Sequence, residues 1–129
     1  MTKPTYVNDY QAIKAVLEQY IKGGKEAKSE FMKPAFNPNA TMYSSDENGA
    51  LAGGNIEVLF EVIDTAFQPS AQAQSVIAYI DISGTAASAR VDTNDLSGFG
   101  FTDYFNLLKI NGQWQIVSKI FHTHYAPQA

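Results

Sequence analysis

The dipeptide Asn111-Gly112 lies between two long runs of β-strand character within the segment Phe99–His124. A two-residue type I′ turn needs positive φ at both central positions, and Asn-Gly is one of the few pairs that meet this need easily. Such a dipeptide between two strand-like runs is the strongest short-range signal for a β-hairpin. The sequence therefore predicts a long antiparallel hairpin, which constrains how the remaining chain can fold.

The register of this hairpin follows from a two-residue turn, in which Ile110 faces Gln113. Counting outward, Asp103 is predicted to face Ile120 and Phe101 to face His122, and opposed residues share one face of a sheet. The same count gives three more pairs, Lys109 with Trp114, Leu107 with Ile116, and Phe105 with Ser118. We expect this more apolar face, with Phe99 and His124, to line a core or pocket.

The opposite face of the hairpin is mixed in character. It is predicted to carry Leu108, Gln115, Asn106, Val117, Tyr104, Lys119, Thr102 and Phe121. Half-apolar faces of this kind suit a two-fold symmetric contact between identical subunits. They are also compatible with a solvated sheet surface, and both interpretations stay open.

Helical patterns precede the strands. The first begins near a cap at Asn8, ends at Gly23-Gly24, and has its apolar positions at helical spacing. Those positions are Tyr10, Ile13, Leu17, Tyr20 and Ile21. A shorter helix is predicted from Lys25 to about Met32, where Pro34 ends it by disfavouring helical geometry in the preceding residue.

A third helix follows Gly53-Gly54, with Asn55 as its cap and Pro69 beyond its end. Its apolar stripe is Ile56, Leu59, Phe60, Ile63 and Phe67. After Pro69 the pattern alternates, which predicts strands at Val76–Ser83 and Ala86–Asp92 around Gly84, besides the short strand Ala40–Ser44. Helices followed by antiparallel strands predict one α+β domain over residues 1–129, with helices on one face of a curved, mainly antiparallel sheet.

Composition excludes several classes of protein. The 129 residues are 45% apolar and 17% charged, with no cysteine and a net charge of −4. A disulfide, a thiolate nucleophile and a cysteine zinc site are therefore excluded, and nucleic acid is not an expected partner because there is no basic cluster. The sequence has no apolar run of membrane-spanning length and no apolar signal segment near Met1, so we expect no membrane partner and a cytoplasmic location.

The pattern from Asp103 to His122 reads Asp-Tyr-Phe-x-Leu-Leu-Lys-x-x-Gly-x-Trp-x-Ile-x-x-Lys-x-Phe-His. This pattern and the order of elements resemble the nuclear transport factor 2-like superfamily. Within it, the chain is most similar to the lumazine-binding bacterial group, near the polyketide-cyclase (SnoaL-like) and ketosteroid-isomerase-like branches. The resemblance implies a cone of three N-terminal helices on a strongly bent sheet of the cystatin-like α+β type. It also implies a cavity between these layers and a homodimer formed through the outer sheet face, which here would include Tyr104, Asn106, Val117, Lys119 and Phe121.

Asp103 and His122 are the candidate catalytic residues, because the predicted register puts both on the apolar face and within reach of each other. A buried carboxylate beside an imidazole can move a proton next to a substrate carbonyl, although such a pair can also be purely structural. Ketosteroid isomerases, which the chain resembles, use a carboxylate base that the segment Ala40–Ser45 does not supply. Asp103 lies on the strand corresponding to their second acid.

Two histidines on one side of a strand, His122 and His124, could join Asp103 in a metal site. A third convincing ligand is missing, so we predict neither a metal nor a cofactor.

The function that the sequence favours is binding of an unknown small molecule, with an aromatic ligand one option, in a cavity with aromatic walls. The candidate ligand-binding residues are Tyr10, Tyr20, Phe60, Phe101, Phe105 and Trp114. An alternative is a lyase, isomerase or cyclase that uses Asp103 and His122 for acid–base chemistry beside a carbonyl. A third is an interaction module whose cavity is filled by its own side chains.

Overall fold

The structure, a computed structural model, describes residues 6–125. Helix α1 (Tyr6–Glu26) is followed by two 3-10 turns at Ser29–Phe31 and Lys33–Ala35. Strands β1 (Phe36–Ser45) and β2 (Leu51–Asn55) come next, and then helix α2 (Glu57–Thr65). The remaining strands are β3 (Gln74–Ser83), β4 (Ala86–Leu96), β5 (Phe99–Ile110) and β6 (Gln113–Tyr125). Neither helix in this part of the chain is long and apolar enough to cross a membrane.

The strands form one six-stranded sheet in the order β2-β1-β6-β5-β4-β3. Neighbouring strands are antiparallel except β1 and β6, which are parallel. Irregularities interrupt four of the five strand pairs, and such bulges bend and twist a sheet. The two helices cover one face, called the inner face here; the opposite face is the outer face.

The core lies between the helices and the inner face. Alternate residues of the central strands point into it, including Ala89 and Val91 of β4 and Phe105 and Leu107 of β5. The α+β class predicted from the sequence is confirmed. The expected three N-terminal helices are not confirmed: within residues 6–125, α1 is the one α-helix that precedes the strands, and α2 lies between β2 and β3.

Helix α1 continues through Gly23 and Gly24 instead of ending there. It ends in a Schellman motif, in which Ala27 takes a left-handed φ of 56° and the N–H of Lys28 donates to the carbonyl of Gly23 at 3.0 Å. The segment predicted as a second helix, Lys25 to Met32, is thus the end of α1 and a 3-10 turn. Gly23 is needed for close packing, since a Cβ there would lie 2.8 Å from the Cβ of Met32.

The end of the hairpin has the predicted form. Asn111 and Gly112 have φ of 50° and 80°, as a type I′ turn requires. The predicted register holds from Ile110 with Gln113 to Leu107 with Ile116.

Beyond Ile116 a β-bulge at Val117 adds one residue to β6, so that Asn106 pairs with Ser118 and every later pair moves by one. Phe105 faces Lys119, Asp103 faces Phe121, and Thr102 faces His122. The predicted pairs Phe105 with Ser118, Asp103 with Ile120 and Phe101 with His122 are therefore wrong. Because successive side chains point to opposite faces, the shift turns Lys119 and Phe121 to the inner face and His122 and His124 to the outer face.

We expect Gly23→Ala to lower the free energy of unfolding by about 1–3 kcal/mol, the usual effect of adding a methyl group to a filled core. Gly24→Ala is the matched control, because its Cβ would meet Leu96 Cδ2 at an ordinary 3.6 Å. It is expected to be neutral or to stabilise by up to about 1 kcal/mol through helix propensity. Urea unfolding of the two variants measures this, and equal effects would contradict the packing role of Gly23.

Candidate functional site

A cavity of about 310 Å³ opens between α1, α2 and the inner face of the sheet. Its walls are mainly apolar, with contributions from β1, α2, β5 and β6. The main apolar residues are Met42, Leu59, Ile63, Phe67, Phe101 and Phe121. Tyr20 from α1 and Lys119 from β6 also border the cavity. The other polar residues of the lining are Lys25, Ser75, Thr93, Thr123 and Tyr125.

Tyr20 and Lys119 meet at the buried carboxylate of Asp103. The Tyr20 hydroxyl donates a hydrogen bond of 2.8 Å to Oδ2 of Asp103. Lys119 Nζ lies 3.4 Å from Oδ1, which is ion-pair distance but lacks hydrogen-bond geometry, so Oδ1 accepts no hydrogen bond from residues 6–125. Asp103 and Lys119 are 1% and 3% exposed. We call these three residues the Tyr20–Asp103–Lys119 cluster.

Each member of the cluster is positioned by its own element. Tyr20 continues the buried stripe of α1 that includes Ile13 and Leu17, at the spacing of one helix face. Asp103 lies on β5 between Phe101 and Phe105, all on the inner face. Lys119 reaches that face because of the bulge two residues before it.

Few oxygen atoms that could accept a hydrogen bond lie near the Lys119 ammonium. Apart from Asp103, Nζ lies 3.6 Å from the sulfur of Met42 and 4.1 Å from the ring centroid of Phe121. The ring of Tyr20 is 5.6 Å away. An aromatic face stabilises a cation by only about 0.5–2 kcal/mol, much less than its loss of hydration on burial. Part of the hydrogen-bonding capacity of Nζ is therefore available to a ligand.

Burial shifts the protonation equilibria of the cluster. It lowers the pKa of the Lys119 amine, and the nearby Asp103 carboxylate opposes that shift without cancelling it. Burial also raises the pKa of the Tyr20 phenol well above its usual value of 10.0, and the negative charge and hydrogen bond of Asp103 add to this effect. At neutral pH Tyr20 is thus a hydrogen-bond donor, and Lys119 releases its proton more readily than an exposed lysine does.

The cluster can therefore fix a polar group at one end of an apolar cavity. It offers an amine and a phenol, each within 3.4 Å of one buried carboxylate. A carbonyl oxygen is a suitable partner because it can accept a hydrogen bond from the amine, while the phenol donates its one proton to Asp103.

The structure brings together only some of the residues predicted for the site. Tyr20 and Phe101 border the cavity, and Asp103 lies directly behind Tyr20 and Lys119. Four predicted ligand-binding residues are outside this lining. Phe60 and Phe105 are core residues, Tyr10 packs at the edge of the core, and Trp114 donates a hydrogen bond of 3.1 Å to Asp9.

His122 is not a partner of Asp103, and the predicted catalytic pair is wrong. Both histidines are exposed on the outer face, with their ring centroids 4.8 Å apart. His124 Nε2 lies 3.0 Å from the Thr102 hydroxyl, which donates to Asp92. Within residues 6–125, no group of three or more His, Cys, Asp or Glu side chains is placed to hold a metal ion.

Lys119 is the site residue that sequence reasoning missed. An uninterrupted register placed it on the outer face. The signal that could have revealed it is the adjacent apolar pair Ile116-Val117, which breaks the alternation of β6 where the bulge occurs.

The curved sheet covered on one face by helices defines an α+β domain of the nuclear transport factor 2-like superfamily, as the sequence predicted. Residues 8–122 match the model of the family described as "Putative lumazine-binding". The chain belongs to this family.

Three relatives cover nearly the whole chain. A crystal structure of an NTF2-like protein of unknown function from Shewanella baltica OS155 is 56% identical, with a TM-score of 0.94 over 96% of this chain and 100% of that one. Another NTF2-like protein of unknown function, from Methylobacillus flagellatus KT, is 37% identical with a TM-score of 0.86, over 96% and 98% of the two chains. The protein named Aldolase FrzH from Cladobotryum sp is 31% identical over 96% of this chain and 98% of FrzH.

We expect Lys119→Met to lower the free energy of unfolding by about 3 kcal/mol, because it leaves the Asp103 carboxylate buried without its ion partner. The double variant Lys119→Met/Asp103→Asn removes both charges, and its loss is expected to be clearly smaller than the sum of the two single losses. The difference between the loss of the double variant and the summed single losses is the coupling free energy of the pair. Urea unfolding of the three variants and the unaltered chain at pH 7 measures it.

The control for the coupling is Lys109→Met at a more exposed ion pair, where Nζ lies 3.0 Å from Asp9. Its expected cost is about 1 kcal/mol or less. Additive losses for Lys119 and Asp103 would show that the buried pair is not energetically coupled.

Proposed function

We propose that this protein binds a small, mainly apolar molecule in the cavity, with a carbonyl group of that molecule held at the Tyr20–Asp103–Lys119 cluster. The observation that carries this proposal is the position of the cluster. Tyr20 and Lys119 border a mainly apolar cavity, and both are linked to one buried carboxylate.

The size of the cavity limits the ligand. About 310 Å³ is the volume of about ten liquid water molecules and is near the lower end for small-molecule sites. A single ring or a short branched chain with one or two polar groups fits this space. The aromatic side chains of Phe67, Phe101 and Phe121 suit a flat ligand.

The second candidate function is an enzyme that performs acid–base or carbon–carbon bond chemistry beside that carbonyl. The observation that favours it is the lysine of the cluster, whose burial lowers its pKa and makes proton release easier. The relative named an aldolase fits this class of reaction. If the protein is such an enzyme, its catalytic residues are Asp103 with Tyr20 and Lys119, and His122 is not among them.

Val62→Trp tests the binding proposal at the cavity mouth. Val62 lies on α2, borders the cavity and is 38% exposed, so a larger side chain can be accommodated while obstructing entry. Val58→Trp is the matched control, one turn earlier on α2 with 42% exposure and outside the lining.

For this test we would titrate both variants and the unaltered chain calorimetrically with benzaldehyde, cyclohexanone and the corresponding alcohols. Val62→Trp is expected to weaken binding by about tenfold or more, equivalent to about 1.4 kcal/mol, with no change for Val58→Trp. The carbonyl compounds are expected to bind more tightly than the alcohols. Failure of every compound to bind, or equal binding by both variants, would contradict the proposal.

We also propose that two copies of this chain pair through the outer face of the sheet. A row of side chains crosses this face, from Tyr43 through Ile120, Tyr104 and Arg90 to Tyr79. Three of its apolar members are more than a third exposed: Ile120 at 51%, Tyr79 at 44% and Tyr104 at 39%. Aromatic residues and arginine are typical of the centres of protein interfaces.

Two of the residues expected at this contact, Lys119 and Phe121, do not lie on the outer face. Tyr104 and Asn106 lie on the outer face, whereas Lys119 and Phe121 lie on the inner face and border the cavity. Ile120 takes their place in the proposed contact.

Ile120→Lys is expected to convert a dimer to a monomer, because it would place two buried ammonium groups near a two-fold axis. Val58→Lys, an equally drastic change on an exposed site of α2, is the control and should leave the dimer intact. Sedimentation velocity at micromolar concentration distinguishes these outcomes. A monomeric unaltered chain would refute the proposed dimer.

A further inference from the structure

We propose that Lys119 forms a Schiff base with aldehydes or ketones bound in the cavity, and so acts as a covalent catalytic residue. This inference rests on the proposed binding of a carbonyl compound. It adds the class of chemistry, which is imine formation at Nζ.

The geometry gives Lys119 access to a reactant but little access to water. Its side chain is 4% exposed, yet it borders the cavity that we propose as the ligand site. Met42 and Phe121 occupy two sides of Nζ, and Asp103 occupies a third. A carbonyl carbon can therefore approach from the cavity, and the apolar surroundings exclude the water that would hydrolyse the imine.

The cluster also contains the groups that handle the protons of this reaction. A small shift of the Lys119 side chain first brings the Nζ ammonium from 3.4 Å into hydrogen-bond contact with Oδ1 of Asp103, and a proton then passes to that carboxylate. The nitrogen lone pair then forms a bond to the carbonyl carbon as the π bond of the carbonyl breaks. The carbonyl oxygen takes up the proton that Nζ loses on forming the carbinolamine, while the Tyr20 hydroxyl keeps the Asp103 carboxyl group in place through its hydrogen bond.

Loss of water completes the reaction. The carbinolamine hydroxyl receives the proton held on Asp103 and leaves as water, while the nitrogen lone pair forms the C=N bond. The balance is one carbonyl compound and one ammonium giving one iminium and one water. No oxidant or reductant is needed.

The charge of the site is the same before and after the reaction. An ammonium cation is replaced by an iminium cation beside the same carboxylate, so the buried ion pair survives. The iminium withdraws electrons from the neighbouring carbon, which makes a proton or a carbon–carbon bond at that position easier to break. The cluster therefore suits aldol-type or other carbanion chemistry beside a carbonyl.

The direct test is reductive trapping. The full chain is incubated with benzaldehyde or cyclohexanone and sodium cyanoborohydride, and peptide mass spectrometry locates the secondary amine that results. We expect Lys119 to be modified at least about tenfold faster than any exposed lysine, because a bound carbonyl reacts as an intramolecular partner. Lys14→Met, at an exposed lysine outside the cavity, should leave trapping at Lys119 unchanged.

Two further variants keep the test valid if loss of Lys119 disturbs folding. The double variant Lys119→Met/Asp103→Asn keeps the cluster free of net charge but removes the amine that holds the carbonyl, so it should bind the ketone more weakly and be trapped only at the rate of an exposed lysine. Tyr20→Phe retains the lysine but removes the hydrogen bond to the Asp103 carboxylate, so it should slow trapping even at saturating ketone. Binding is measured without reductant by calorimetry.

The outcomes separate the two proposals. Absence of binding to the unaltered chain would overturn the proposed function and this inference together. Binding with modification spread over exposed lysines, and Lys119 unmodified, would overturn the Schiff base alone. Preferential trapping at Lys119 of the unaltered chain, slower in Tyr20→Phe at saturating ketone, with weaker binding in the double variant, would support both.

Discussion

The Asp103 carboxylate and the Lys119 amine face each other in a region from which water is almost excluded. Moving either charge alone into such a region costs several kcal/mol, so each is stable only while the other is present. The Tyr20 hydroxyl adds a third partner from a helix 83 residues earlier in the sequence. The first helix and the last hairpin must therefore be correctly packed before this polar cluster is stable. The cluster links the assembly of the fold to the chemistry of the cavity.

The two sides of the sheet differ in their polar chemistry. The inner face has its amine, phenol and carboxylate around one apolar cavity. The outer face has imidazole, hydroxyl, carboxylate and guanidinium groups in a connected surface network, in which the guanidinium of Arg90 lies 3.1 Å from Asp92. Electrostatic interactions in the cavity are weakly screened, whereas those on the exposed face are reduced by water and salt. This difference explains why the buried cluster, rather than the exposed histidines, carries the proposed chemistry.

Features that depend on local chemistry could be predicted from the sequence. The turn at Asn111-Gly112 follows from backbone preference, and the buried stripe of α2 follows from helical spacing. The second helix could not be predicted correctly, because Gly23-Gly24 is typical of a helix end although α1 continues to Glu26. The real constraint on Gly23 is the nearness of Met32, which is a property of tertiary packing that no local pattern contains.

In the candidate site, too, some residues could be placed from local sequence patterns and others could not. Asp103 was correctly placed on the inner face, because its strand alternates regularly from the turn outward. Lys119 and His122 were placed on the wrong faces, since one unpaired residue in β6 reverses all the side chains beyond it. Alternation of apolar and polar residues predicts which face of the sheet a side chain points to, but only up to the next bulge in the strand.

The bulge at Val117 also suggests how this scaffold could change its chemistry during evolution. If Val117 paired with Asn106 instead of bulging out, every residue beyond it on β6 would move by one position along β5. The cavity would then receive Ser118, Ile120 and His122 in place of Lys119, Phe121 and Thr123. Loss of the bulge without any change in chain length would thus exchange an amine for an imidazole while the strand order stayed the same. Substitutions that form or remove a bulge within a strand are therefore a source of new active sites in a sheet of this kind, alongside substitutions in the site itself.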